Sequence, residues 1–143
     1  MALEIQEHIL DLGPVRLNYA EIHIAEGSPL VLLHGGSARW QSFQPILADL
    51  ASAGPVYTLD FRGHGQSEWV PGSYRLQDYA DDIIAFLKVR LTEPAHLFGH
   101  SLGGMVALLV AAQYPQGVRA VAVGDAPLSS ETWRMVRQQG QER

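Results

Sequence analysis

Ser101 sits in the pentapeptide Gly99-His100-Ser101-Leu102-Gly103, with one apolar run before it and another after it. Ala95-His96-Leu97-Phe98 is short and apolar enough for a buried strand, and Leu102 to Gln113 reads as a helix of small and aliphatic residues. A serine on a sharp strand-to-helix turn is held in a strained backbone conformation with its hydroxyl exposed. Glycines must flank it, because side chains there would meet the neighbouring strand and helix. At the helix start, the amide of Leu102 faces any oxyanion formed when Ser101 attacks a carbonyl. Type and spacing together predict a nucleophile at Ser101 and acyl-transfer chemistry.

Two further blocks follow apolar runs in the same way. His34-Gly35-Gly36 comes after Pro29-Leu30-Val31-Leu32-Leu33, and Asp60-Phe61-Arg62-Gly63-His64-Gly65-Gln66-Ser67 comes after Val56-Tyr57-Thr58-Leu59. In this order and spacing the three blocks make the chain similar to the N-terminal part of an α/β-hydrolase fold protein, over about residues 10 to 127. The pentapeptide alone is a weak signal, whereas three blocks in order, each at a strand end, are a strong one.

The resemblance implies a serine hydrolase that needs no cofactor and acts on a small carboxylic ester or related acyl compound. Gly36 then supplies the second oxyanion amide beside that of Leu102, with Ser37 as the alternative donor. The family order of serine, acid, histidine places the histidine well after Ser101, yet none occurs after His100. Of the six histidines, His34 reads as a structural hydrogen-bonding residue and His64 as a loop residue. His8, His23 and His96 read as strand positions, partly buried or at the surface, and His100 points away from the serine hydroxyl. Asp125, just past the sixth strand, is a candidate for the acid, its plainer reading being a residue that starts the turn before Ala126-Pro127. Asp60 and Arg62 match a scaffold turn of the family. Trp40 and Trp69 lie near loop ends, where they line an acyl pocket or simply pack. Serine at position 101 argues against dehalogenase and epoxide hydrolase chemistry. Lactonases, thioesterases, carbon–carbon bond hydrolases and cofactor-free peroxidases stay open, as do a non-catalytic binding protein that keeps the pocket and an inactive fragment of this fold lacking the triad histidine.

Composition narrows the setting. A 143-residue chain is long enough for one domain with a substantial core. Its formal net charge of −5, with scattered Lys and Arg, argues against nucleic acid or anionic membrane as the main partner. The absence of Cys excludes disulfides and thiolate zinc sites, and no histidine pair has the spacing of a metal site. Glu4, Glu7 and Asp11 leave no signal-peptide pattern, and the longest apolar run, Met105 to Ala112, is too short to cross a bilayer. A soluble, cytoplasmic protein is expected, with a small-molecule acyl substrate, no nucleic acid and no membrane.

The elements that must position these residues follow from periodicity. Leu3 to Leu12 and Val15 to Ile24 alternate apolar and polar residues around Gly13-Pro14, predicting an antiparallel hairpin at a sheet edge. Phe43, Ile46, Leu47 and Leu50 recur at helical spacing, as do Leu76, Tyr79, Ala80, Ile83, Phe86 and Leu87. Asp78, Asp81 and Asp82 fall towards the start of that second helix, where negative charge is favoured. Val118 to Val123 is a sixth strand. Strand and helix alternate from residue 29, so the expected fold is α/β, a mostly parallel sheet with helices on both faces and without the family's last two strands. Residues 1–127 are the N-terminal part of that core, and 128–143 the start of a cap or a frayed C-terminal helix. Three sources of the missing half are compatible with the sequence. The chain is one piece of a longer protein, the histidine comes from a second polypeptide or swapped partner, or the chain is a short relative without a triad. A parallel sheet ending at its sixth strand would expose an apolar edge, which favours the first.

Overall fold

The computed structural model describes residues 3–129, together with Glu131 and Arg134. A six-stranded sheet carries the chain in the order β1-β2-β4-β3-β5-β6. The hairpin β1 (Gln6–Asp11) and β2 (Arg16–Ile22) forms one edge, and β2 runs antiparallel to β4 (Val56–Leu59). From there β4, β3 (Leu30–Leu33), β5 (Ala95–His100) and β6 (Val118–Gly124) are all parallel. The hairpin, the continuous apolar strands and the parallel arrangement all match the sequence expectation. His8 and His96 are exposed strand residues, while His23 lies one residue beyond the end of β2.

Both faces of the sheet are covered, because its central strands are apolar on both sides. Helices α2 (Leu76–Arg90) and α3 (Leu102–Gln113) cover one face. There Tyr79, Ala80, Ile83, Phe86, Val106, Ala107 and Val110 pack on Leu17, Val31, Leu33, Leu59 and Leu97. Trp40, Phe43, Leu47 and Ala51 cover the other face against Ile22, Leu32 and Val56. That second layer departs from expectation. In place of one α-helix, Trp40–Ile46 is a 3₁₀ stretch and α1 is only Leu47–Ala51. Pro45 lies inside the stretch and has no N–H to continue the i→i−4 ladder, so the tighter turn persists until it is passed. Ile46 consequently turns outward and is 46% exposed.

Segment 128–143 lies almost wholly outside the described residues. Among the described residues no helix is long and apolar enough to cross a membrane, and no group of three His, Asp or Glu side chains could hold a metal ion.

Candidate active site

Strand order dictates where a site can form. From β3 the chain goes outward to β4 and returns on the other side to β5, so the loops leaving β3 and β5 diverge. A crevice at the carboxyl ends of the strands opens at such a reversal. Leu33 pairs with Gly99 in the sheet, which brings His34-Gly35-Gly36 and His100-Ser101-Leu102 to its two sides.

Ser101 occupies the turn between β5 and α3 with φ 52° and ψ −112°, a left-handed conformation for a residue with a side chain. Main-chain contacts hold it there. Its N–H donates to the Gly124 carbonyl at 2.8 Å, and its own carbonyl accepts from Gly104 N–H at 2.9 Å and Met105 N–H at 3.2 Å. Gly99 and Gly103 make the turn possible. A methyl group on Gly103 would overlap the Leu33 carbonyl and lie 2.7 Å from the His34 oxygen, and one on Gly99 would overlap the Gly103 carbonyl. Leu102 begins α3, and a methyl on Gly36 would meet only Leu102 Cδ2, at 4.0 Å. Among the described residues nothing accepts from the Gly36 or Leu102 N–H, and no side chain bonds the Ser101 hydroxyl. Two free amides therefore flank a strained serine.

The β3 loop is fixed from below by His34. It is fully buried, its Nδ1 pairs with the Gly35 carbonyl at 2.6 Å, and its Nε2 accepts from Phe61 N–H at 3.0 Å. These roles require the proton on Nδ1 and a neutral ring. Burial drives its pKa down from 6.5 to about 4, and the neighbouring His64 adds to this. The neutral form is favoured in the fold, so the stability it provides is present above about pH 6.5 and is lost as the pH falls towards 4. We expect about 3 kcal/mol of acid-sensitive stability from this residue. Urea midpoints measured between pH 7 and 4 should fall more steeply for the wild type than for His34→Gln, and equal slopes would refute the assignment.

Asp60 ties the loop from the side. It is fully buried, with Oδ1 accepting from Trp40 N–H at 2.7 Å and Oδ2 from Asn18 Nδ2 at 3.0 Å and Gln66 N–H at 2.9 Å. Arg62 turns away from the crevice and grips Asp82 of α2 through two bonds of 2.7 Å. Both are therefore scaffold, as the sequence indicated. Burial pushes the Asp82 carboxyl up, and the Arg62 guanidinium pulls it back down. Sequence reasoning grouped Asp82 with the helix-start charges Asp78 and Asp81. Its spacing from Tyr79 and Phe86 instead marks it as lying on the buried face. Asn18, an inward position on β2, and Glu7, which accepts from Asn18 Nδ2 and Trp40 Nε1, were also missed. Trp40 is thus a packed structural residue, while Trp69 is 74% exposed.

His100 is exposed, its ring so close to Gly35 that a methyl there would lie 2.9 Å from Nδ1. His64 faces the Arg62 carbonyl at 2.9 Å. Asp125 is exposed and directly follows Gly124, with φ 50°. Ser37 has φ 64° in a turn closed by Ala38 N–H on the Gly35 carbonyl at 3.2 Å. No described histidine is bonded to Ser101.

Residues 28–142 match the model of the alpha/beta hydrolase fold family. This chain belongs to that family. It is 34% identical over 116 residues to a 2-(acetamidomethylene)succinate hydrolase of Mesorhizobium japonicum, covering 81% of this chain and 41% of that protein. Over 119 residues it is 33% identical to ethanol acetyltransferase 1 of Cyberlindnera jadinii, covering 80% of this chain and 35% of the relative. A crystal structure of E-2-(acetamidomethylene)succinate hydrolase superposes with a TM-score of 0.81 at 30% identity, over 95% of this chain and 51% of that one. The chain thus spans about half or less of the length of these family members, and named hydrolases are among them.

Proposed function

We propose that the chain carries the nucleophile half of a serine hydrolase acting on a small carboxylic ester or related acyl substrate. The observation that carries this reading is Ser101, strained at φ 52° beside the free amides of Gly36 and Leu102. In this reading Ser101 Oγ attacks the substrate carbonyl and its proton passes to a histidine. The carbonyl oxygen becomes an oxyanion that accepts from Gly36 and Leu102 N–H groups, each contributing about 3 kcal/mol in the transition state. As the bond to the leaving group breaks, the histidine returns the proton to that group, and water then releases the acid from Ser101 by the reverse sequence. Asp125, whose preceding residue bonds the Ser101 amide, is our choice for the carboxylate that orients the histidine. The histidine itself comes from sequence beyond these 143 residues or from a partner polypeptide, as no described histidine reaches Ser101. That same observation favours a second reading, a non-catalytic binder that keeps the pocket.

A fluorophosphonate separates the two. The full-length gene product should gain one adduct by intact mass, and Ser101→Ala should gain none and lose at least about 10⁴-fold in hydrolysis of p-nitrophenyl acetate. A folded wild type that gains no adduct would favour the binder.

A further inference from the structure

The loop between the candidate amide of Gly36 and the 3₁₀ stretch carries one cation without an ion-pair partner among the described residues. Among the arginines of residues 3–129, Arg16 pairs with Glu68, Arg62 with Asp82, Arg75 with Asp78, Arg90 with Glu21 and Arg119 with Glu93. Within that range only Arg39 has no described carboxylate partner, and its side chain is exposed. In a protein of net charge −5 an unpaired arginine is not explained by a shortage of acids.

Arg39 lines a groove of about 700 Å³ with Ser37, Ala38, Gln41, Ser42 and Gly65. The groove opens at the carboxyl ends of β3 and β4, the edge on which Ser101 stands. Arg39 follows Gly36 by three residues, so their backbones are within roughly 11 Å of each other.

We propose that Arg39 binds a carboxylate on the substrate, so that this protein prefers acyl compounds bearing an anionic group over neutral ones. The inference rests on the hydrolase reading and specifies its substrate. A guanidinium offers a planar pair of N–H donors that matches the two oxygens of a carboxylate. Among the described residues no second cation lines the groove, which suits a single negative charge better than a phosphate dianion. Among the described residues the Arg39 side chain makes no hydrogen bond or ion pair, so its replacement is expected to leave the protein folded.

The test compares p-nitrophenyl hydrogen fumarate, whose trans carboxylate cannot reach its own ester, with its neutral methyl ester on the full-length gene product. The wild type should favour the free carboxylate by roughly ten- to hundredfold in kcat/KM, mostly through KM. Arg39→Gln should abolish that preference while leaving turnover of the neutral ester unchanged, and Arg39→Lys should restore only part of it. Equal rates of the two esters with wild type, or an equal loss on both with Arg39→Gln, would overturn the proposal. Hydrolysis of neither ester would count against the hydrolase reading alone. In that case monomethyl succinate, followed by the Arg39 Nε–H resonance, decides the matter. A saturable shift that Arg39→Gln lacks supports carboxylate binding, and no shift overturns it.

Discussion

Gly103→Ala is expected to abolish fluorophosphonate labelling although Ser101 is untouched. Two effects compete at this position. Alanine favours a helix over glycine by about 1 kcal/mol, and Gly103 lies in the first turn of α3. Against that, the added methyl would overlap the Leu33 carbonyl and lie 2.6 Å from its carbon, both part of a central strand with neighbours on each side. Backbone in that setting cannot yield by the necessary distance, so the clash wins by about 3 kcal/mol or more. Either α3 lifts away and carries the turn with it, or the protein unfolds. Gly36→Ala is the control, since its methyl would meet nothing closer than 4.0 Å. That variant should melt within a degree or two of the wild type. Normal labelling of Gly103→Ala would mean that α3 does not seat against β3 as described.

Asp82→Ala should be the most destabilising substitution outside the elbow. Arg62 and Asp82 are 7% and 6% exposed and joined by two short bonds. Removing the acid leaves a guanidinium buried with only the Ser73 carbonyl for company. Breaking a buried pair in this way costs about 3–5 kcal/mol, or roughly 10 °C in melting temperature for a chain of this size. The pair itself need not be worth that much, because burying both charges is expensive. The double variant Arg62→Met with Asp82→Leu should therefore recover most of the loss. Thermal melts of the three proteins check this, and a double variant no better than Asp82→Ala would show that the pair is more than an internally compensated charge.

The sequence revealed the parts of this fold whose periodicity is unbroken. Val56–Leu59 and Leu102–Gln113 have the boundaries that their apolar runs suggest, since a strand covered on both faces and a helix of small residues leave little choice. The 3₁₀ stretch was obscured because Phe43 and Leu47 keep helical spacing while Pro45 alters the hydrogen bonding beneath them. Asp82 was misplaced for a related reason: its charge suggested the helix start, and only its position on the apolar face indicates burial. At the candidate site, the turn at Ser101 was legible because strain at that position demands glycine on either side, which leaves a mark in the sequence. Arg39 left none, since having no partner is a property of three-dimensional arrangement.

The contacts that hold Ser101 are made by main chain: the carbonyl of Gly124 receives its N–H, and the carbonyl of Leu33 sets how near α3 may come. Carbonyls are the same in every residue. The side chains around the crevice are accordingly free to change without shifting Ser101, so what the crevice recognises and where its serine stands are set by different atoms.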